Sequence, residues 1–126
     1  MSESPDDSRI LAWAKFLDDY ARDWYDIFGD ERGSFHSEFW FLLVGCTLAY
    51  WRGRPMTVST ACQTMKTGSS STRESRLKQA VEQGYLRKEK AGADGRSAIV
   101  LPTARLEEMM RQQFQRSMDQ ARSALA

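Results

Sequence analysis

The pattern that most restricts how this chain can fold lies in residues 57–103. It predicts two short helices followed by two short strands. The first helix follows Thr57, which suits the N-cap position, and its apolar residues recur at steps of three and four. The second helix is rich in Ser, Thr and Arg at its start and reaches Gly84, which suits the left-handed residue that ends a helix. The order predicts a tight helix pair that leads directly into extended chain.

A capping box marks the start of the second helix. Ser71 can accept a hydrogen bond from the backbone of Glu74, while the Glu74 carboxylate reaches back to the Ser71 backbone. This spacing predicts that the helix begins at Ser71. Its inward positions are then Leu77, Ala80 and Val81, which leaves the first turn polar.

Two extended runs follow, at residues 86–90 and 97–101. The segment between them contains Gly92 and Gly95, which supply the backbone freedom that a hairpin loop requires. Thr103 comes shortly after the second run and can cap a final helix. The sequence therefore predicts a β-hairpin with a basic tip, followed by a C-terminal helix.

Helical periodicity also covers both flanks of this segment. An N-terminal helix is predicted over residues 5–28 after Ser4 as N-cap, with its apolar residues on one stripe. A second helix, residues 36–51, is apolar on nearly every side, which predicts the buried centre of the fold. The first stripe comprises Ile10, Trp13, Leu17, Tyr20, Trp24 and Ile27. A similar seam on the final helix comprises Leu106, Met110, Phe114, Met118, Ala121 and Leu125.

Charge is divided unevenly along the chain, although the net charge is only +1. Residues 1–51 contain four Lys/Arg against ten Asp/Glu, a balance of −6, whereas residues 52–126 contain fourteen against seven, a balance of +7. This asymmetry is typical of a module that meets a polyanion with one face while the remainder repels it.

Length and composition restrict the class of protein. With 126 residues, 41% of them hydrophobic, the chain is predicted to form one domain with its own core. The longest nearly apolar run, residues 39–51, is shorter than the ~20 residues that a membrane span requires. No secretory signal is recognisable. A cytoplasmic protein that does not contact membranes is therefore predicted.

Catalytic and metal-binding motifs are absent from the sequence. Cys46 and Cys62 lie within apolar helical patterns and lack the spacing of a zinc site, which predicts buried thiols, no metal and no cofactor. There is no phosphate-binding glycine loop, nucleophile elbow or HExxH motif. No catalytic residue is therefore predicted, and the protein is not expected to be an enzyme.

A capped helix pair followed by a hairpin with a basic tip is the order of a winged helix-turn-helix. The predicted fold class is thus mainly α with a small β-hairpin wing. The second helix of such a pair enters the major groove of duplex DNA, where small hydroxyl residues and arginine suit its first turn. The predicted DNA-contacting residues are Ser69, Ser70, Ser71, Thr72, Arg73 and Arg76 of this helix, Lys66 and Lys78 around it, and Lys88, Lys90 and Arg96 of the wing.

Two stretches of the sequence resemble a known family. Residues 70–86 resemble the recognition helix of MarR-type transcription regulators: Ser-Ser-Thr-Arg, an aliphatic helix face, then a glycine and two apolar residues. Residues 94–103, Asp-Gly-Arg-Ser followed by an aliphatic strand and a helix-capping threonine, are similar to the wing of that family. Together the two matches cover approximately residues 57–103.

The resemblance implies a bacterial-type, sequence-specific regulator that binds a pseudo-palindromic operator as a homodimer and represses by blocking polymerase. The terminal helices interlock in that family. Residues 4–51 would then supply core and dimer helices, residues 57–103 the winged helix-turn-helix, and residues 104–125 a C-terminal dimer helix. Release by a small aromatic effector is also implied. Its pocket could be lined by Trp13, Tyr20, Trp24, Phe39 and Trp40, for which core or dimer packing is the alternative.

Two other functions fit the same pattern. A winged-helix domain can bind a protein partner instead of DNA, although such domains usually lose the basic residues that this chain keeps on its second helix and hairpin. The domain could also bind DNA without sequence preference, as an accessory protein. The arginines and lysines could in turn be ordinary solvated surface charges.

Overall fold

The computed structural model describes residues 5–28, 37–91 and 97–126 of the chain. These described residues form five helices and a three-stranded antiparallel sheet. The elements in chain order are α1 (Pro5–Phe28), α2 (Ser37–Trp51), β1 (Met56–Thr57), α3 (Val58–Gln63), α4 (Ser70–Glu82), β2 (Leu86–Ala91), β3 (Ser97–Pro102) and α5 (Ala104–Leu125).

The described residues group into two compact units, and the division falls within α5. The first unit contains α1 and residues 111–126. The second unit contains α2 to β3 together with residues 104–110. The predicted helix pair and hairpin therefore lie entirely in the second unit. So does α2, which the sequence pattern groups with the N-terminal helix.

The sheet of the second unit has the order β1-β3-β2, with both pairings antiparallel. β2 and β3 form the predicted hairpin, in which Lys88 pairs with Val100. β1 pairs with the other edge of β3 through Met56 opposite Val100. The sequence pattern does not predict β1, because a two-residue strand directly after Pro55 is too short to show alternation.

The start of α4 is earlier than predicted. Ser69 is the N-cap: its backbone is extended, and its Oγ accepts a hydrogen bond from the Thr72 N–H at 3.2 Å. The predicted capping box of Ser71 and Glu74 is therefore wrong, since both residues lie inside the helix. The physical reason lies at Gly68, whose φ of +103° lets the chain reverse direction immediately before the cap.

The other predicted caps are confirmed. Thr57 caps α3 by accepting from the Thr60 N–H at 3.1 Å. Thr103 caps α5, because its Oγ1 accepts from the Leu106 N–H at 3.2 Å, and it also donates to the Gly84 carbonyl at 2.7 Å. With a φ of +81°, Gly84 adopts the predicted left-handed conformation after α4. One threonine therefore links the end of α4 to the start of α5.

The core of the second unit is built around α2. Leu42, Leu43 and Cys46 are fully buried, as predicted for a central helix. Burying one large apolar side chain contributes ~1.5–3 kcal/mol to stability. Tyr50 and Trp51 are exposed, so the last turn of α2 departs from the predicted buried helix. Other fully buried side chains of this unit are Ala61, Met65, Leu77, Ala80, Leu86, Val100, Leu106 and Met110.

In the first unit, aromatic rings follow one another along α1. The ring centroids of Trp13 and Phe16 are 4.9 Å apart, and those of Tyr20 and Trp24 are 5.9 Å apart. Phe114 of α5 lies 6.0 Å from Trp24 in an edge-on arrangement. Several large apolar side chains of this unit nevertheless remain exposed on the single chain, namely Ile10, Leu11, Leu17, Tyr25, Met118 and Leu125.

Candidate nucleic-acid interface

The first turn of α4 presents a cluster of hydroxyl groups to solvent. Ser69, Ser70, Ser71 and Thr72 are all exposed. The Ser69 Oγ lies 3.2 Å from the Ser71 Oγ and 3.0 Å from the Thr72 Oγ1, so the hydroxyls also bond to one another. Because a hydroxyl both donates and accepts, this turn can bond to base edges or to phosphate oxygens. The structure thus brings the four predicted hydroxyl residues together on one surface.

Arg73 lies on the side of α4 that faces α3. Its side chain is half-buried and lines an open cleft of about 540 Å³ between the two helices. Its Nε is buried and makes no hydrogen bond within the described residues. A guanidinium has five N–H donors in a planar fork, so the side chain must turn further into the cleft before its Nε can bond to an acceptor of a ligand. The cleft is lined by Val58, Ser59, Cys62, Gln63, Ser70, Arg73 and Glu74.

Arg76 occupies a different environment from the predicted one. Its side chain is 19% exposed, and its Nη1 donates to the Thr67 carbonyl at 2.5 Å. The same Nη1 lies 3.7 Å from the Glu38 Oε2 of α2. The structure therefore ties Arg76 to the turn before α4 and does not bring this guanidinium into the hydroxyl cluster. Base contact by Arg76 stays a prediction that this geometry disfavours.

Glu38 is part of this region and is not predicted from the sequence. It is only 6% exposed, and its Oε2 accepts a hydrogen bond from the Thr67 N–H at 3.0 Å. In the sequence it is an acidic residue in the first turn of an apolar helix, where it simply suits the helix dipole. No local signal connects it to a turn 29 residues away.

The four predicted lysines outside the hairpin loop are all exposed, in different settings. The Lys66 Nζ lies 5.4 Å from the centroid of the Phe41 ring, a cation–π contact. The Lys78 Nζ lies 4.0 Å from a carboxylate oxygen of the same helix. Lys88 and Lys90 stand on β2, at the edge of the sheet. An exposed ion pair contributes little to stability, so a phosphate can compete for the Lys78 ammonium group.

Some predicted positions lie outside residues 5–28, 37–91 and 97–126. Arg96, predicted at the tip of the wing, is one of them. Ser4 and His36, predicted at the starts of the first two helices, and Gly92 and Gly95, predicted in the hairpin loop, also lie outside these ranges. The strands on both sides of the wing tip pair as predicted.

The two cysteines differ in burial. Cys46 is fully buried in α2, and burial raises the pKa of its thiol to about 12. Cys62 is half-buried at the cleft, and its pKa is raised first by burial and then by the Glu74 carboxylate. A raised pKa leaves little thiolate near neutral pH, so neither thiol is a strong nucleophile there. Buried packing is confirmed for Cys46, whereas Cys62 is less buried than predicted.

The residues predicted for an effector pocket fall in both units. Trp13, Tyr20 and Trp24 belong to α1, and Phe39 and Trp40 belong to α2. Trp24 and Phe39 are buried, so their rings contribute to packing, whereas Trp13 is exposed. An effector pocket at these residues stays a prediction.

None of the described helices has the length and apolar character of a membrane span. Among the residues that the structure describes, no three His, Cys, Asp or Glu side chains are grouped so that they could hold a metal ion. The groups offered by the first turn of α4 and by β2 are mainly hydroxyls and cations.

The second unit has the elements of a winged helix-turn-helix: α3, α4 with its first turn exposed, and a β-hairpin extended by β1. The chain is similar to a solved structure described as a MarR-like transcription regulator from Bacillus cereus. The identity is 18% and the TM-score 0.54, over 94% of this chain and 75% of that chain. This likeness confirms the predicted fold class, so the chain has the winged-helix fold of MarR-like regulators.

A structure of MarR is also similar, with 19% identity and a TM-score of 0.45 over 85% of this chain and 78% of that chain. The sequence matches no protein-family model and no curated protein. The likeness to the Bacillus cereus structure therefore shows the fold, and a fold by itself does not define a function.

Proposed function

We propose that this protein is a transcription regulator that binds duplex DNA sequence-specifically as a homodimer. The observation that carries the proposal is the exposed first turn of α4, which presents four hydroxyl residues directly before Arg73 in a winged-helix fold. In such folds this turn enters the major groove and meets base edges. The likeness in fold to a MarR-like transcription regulator supports the same function.

The chemistry of α4 suits both bases and phosphates. Arg73 can pair with a guanine through two parallel donors, which is the commonest specific contact in the major groove. Ser70 and Ser71 can bond to phosphate, aided by the partial positive charge at the start of a 13-residue helix. Lys88 and Lys90 would neutralise phosphates beside the groove, and Lys66 and Lys78 would do the same around α4.

The homodimer is supported by the apolar surface of the first unit. Leu17 of α1 is 47% exposed, and Met118 and Leu125 of α5 are each 57% exposed. Leucine and methionine side chains that stay in water on two neighbouring segments mark a surface that another protein covers. A second copy would bury them and would present two α4 helices to an inverted repeat, with half-sites about one helical turn apart.

The expected consequence of operator binding is repression in the cytoplasm of a bacterial cell, because a bound dimer blocks polymerase. A small aromatic molecule would release the DNA. This part of the proposal rests on the resemblance of residues 70–86 and 94–103 to the MarR family and on the aromatic residues of α1 and α2.

Selection of bound fragments from random duplex DNA, with purified full-length protein, tests the proposal directly. The enriched fragments are expected to share an inverted repeat. Affinity for the enriched sequence should also fall steeply with salt, since cations that neutralise phosphates release counterions.

The other functions are distinguished by the same measurements. Fragments without a common sequence but with steep salt dependence would indicate a non-specific accessory protein. No binding to any duplex at low salt would overturn the proposal and favour a winged-helix module that binds a protein partner.

A further inference from the structure

We propose that Glu38 and Arg76 are positioning residues, which set the direction of the first turn of α4 for sequence-specific DNA binding. This inference rests on the proposed function. Both side chains are largely buried, and neither belongs to the hydroxyl cluster at Ser69 to Thr72. They act through Thr67 and Gly68, the two residues that precede the N-cap of α4.

The peptide groups of Thr67 are held from two directions. The Thr67 N–H donates to the Glu38 Oε2 at 3.0 Å, and the Thr67 carbonyl accepts from the Arg76 Nη1 at 2.5 Å. Glu38 belongs to α2 and Arg76 to α4, and the two charged groups lie 3.7 Å apart. The contacts therefore close a ring that joins the central helix, the turn and the proposed recognition helix.

The charges make this ring sensitive to the loss of either partner. A buried carboxylate is costly unless it is paired and hydrogen-bonded, and Glu38 is only 6% exposed. Its partners include the Thr67 N–H, which donates a hydrogen bond, and the Arg76 guanidinium at 3.7 Å. Loss of the charge on either residue removes the attraction between Glu38 and Arg76 across the turn, so the turn is expected to move to a different arrangement.

Gly68 transmits this constraint to the helix start. A Cβ at Gly68 would lie 2.9 Å from the Arg76 Nη1 and 3.1 Å from the Thr72 Cγ2, so the absence of a side chain lets the guanidinium pass close to the backbone. Ser69 follows directly and caps α4 by accepting from the Thr72 N–H. Fixing the turn therefore fixes where the hydroxyl cluster points.

The positioning role and simple electrostatics predict opposite results for Glu38. Loss of a carboxylate from a DNA-binding protein removes repulsion from phosphates, so electrostatics alone would strengthen binding to any duplex. Loss of a positioning residue would weaken binding to the selected operator, because base contacts depend on exact placement, and would spare non-specific binding.

The experiment measures the affinity of full-length variants for the selected operator and for a scrambled duplex, at several salt concentrations. Glu38→Gln keeps an oxygen that can accept from the Thr67 N–H but removes the charge that pairs with Arg76. Operator affinity is expected to fall by at least roughly 10-fold. A loss of this size is comparable to the effect of one mismatched base pair. Scrambled-duplex affinity and the salt dependence should remain unchanged or increase slightly.

Glu108→Gln is the matched control, because it removes the same charge from an exposed position on α5 in the same unit. It should not lower operator affinity. The proposal is overturned if Glu38→Gln binds the operator as well as the unmodified protein does. It is also overturned if operator and scrambled-duplex affinities fall by the same factor, since that marks a general loss of structure.

Arg76→Lys separates positioning from base reading, and it serves if Glu38→Gln fails to fold. Lysine keeps the positive charge but cannot bond to Thr67 and Glu38 with the same planar group. Repeating the selection with this variant should weaken the sequence preference at several positions of each half-site. A preference lost at one position alone would mean that Arg76 contacts a base.

Hydrogen exchange of the Thr67 amide in the unmodified protein gives a test that needs no variant and no DNA. The amide is expected to be protected, and exchange at the rate of an unstructured peptide would overturn the ring of contacts. If the unmodified protein selects no operator, the proposed function fails by itself. If it selects one and Glu38→Gln binds it equally well, only the positioning role fails.

Discussion

Arg73 and Arg76 lie one helical turn apart on α4, and their surroundings give them different tasks. Arg76 is largely buried and bonded to Thr67 beside Glu38. Arg73 lines a cleft that opens to solvent and keeps an unpaired Nε within the described residues. At the level of sequence the two arginines are equivalent, because both follow the hydroxyl-rich start of a helix. Only the position of α2 distinguishes the arginine that holds the turn from the one that is suited to meet a base.

Arg73→Ala should relax the preference for one base position in each half-site. The expected loss of operator affinity is ~1–3 kcal/mol, the usual worth of a bidentate arginine contact. Competition binding of operator variants, each changed at a single position, measures this effect. Affinity for unrelated duplex should change much less than affinity for the operator.

Lys88→Ala is the contrasting variant, because Lys88 stands exposed on β2 and is expected to meet phosphate only. It should weaken binding to all sequences similarly and lower the salt slope by ~1. Arg73 would not be a base-reading residue if Arg73→Ala reproduced this uniform pattern.

The stability of the protein should fall in alkali because of Cys46. Burial raises the pKa of this thiol to about 12 in the folded protein, whereas the ordinary value is 9.0. Above pH 9.0 the unfolded chain therefore loses a proton that the folded chain keeps, so the free energy of unfolding falls from there toward pH 12. Urea unfolding of the unmodified protein and of Cys46→Ala, compared over this range, isolates the effect.

Cys46→Ala should be less stable near neutral pH but should lose stability less steeply in alkali. Cys62→Ala is the control: Cys62 is only half-buried, so its removal should alter the slope less. Identical slopes for Cys46→Ala and the unmodified protein would show that this thiol titrates normally.

In the second unit, the predicted starts and ends of helices are correct where a single local signal is present. The prediction fails where two such signals compete. Thr57, Gly84 and Thr103 each have no rival at their position, and all three act as predicted. Ser69 and Ser71 both have the chemistry of an N-cap. The capping-box spacing favours Ser71, whereas the backbone reversal at Gly68 places Ser69 at the helix start.

Ser69→Ala should destabilise the protein by ~1 kcal/mol, because the Thr72 N–H loses its side-chain acceptor. Ser71→Ala, a matched change of an exposed serine inside the same helix, should shift stability by less than ~0.5 kcal/mol. Urea unfolding of both variants measures the difference. A larger loss of stability for Ser71→Ala than for Ser69→Ala would instead support the capping box of Ser71 and Glu74.

Contacts between distant elements mark the limit of what the sequence predicts about this surface. The hydroxyl cluster and the hairpin strands were predictable, since helix start signals and alternating apolar residues are local. The bonds from Glu38 and Arg76 to Thr67 depend on how α2 packs against the turn, and no periodicity encodes that. β1 likewise depends on a distant contact, because it is a strand through its pairing with β3.

At the scale of the whole molecule, the two ends of α5 differ in how far their apolar side chains are buried. Leu106 and Met110 are fully buried in the second unit, whereas Met118 and Leu125 of the same apolar seam stay in water. In α1 the apolar stripe is likewise only partly covered, because Leu17 and Ile10 are exposed. The apolar stripe of α1 and the apolar seam of α5 thus extend further than the single chain can bury. For this reason we expect a second copy of the chain to cover them.

Leu17→Asp should therefore convert a dimer into a monomer, since a carboxylate would be buried without a partner in the proposed interface. Sedimentation velocity measures the oligomeric state. Ala12→Asp is the control, because Ala12 is exposed on the same helix outside the apolar stripe and receives the same charge. It should leave the dimer intact.

DNA binding provides the second measurement for Leu17→Asp. A monomer keeps its own α4, so it should still bind a single half-site weakly but lose the gain in affinity that the second half-site gives a dimer. The proposed interface would be wrong if Leu17→Asp remained a dimer with full affinity for the inverted repeat. The two copies would then have to associate through a surface other than the exposed stripe of α1.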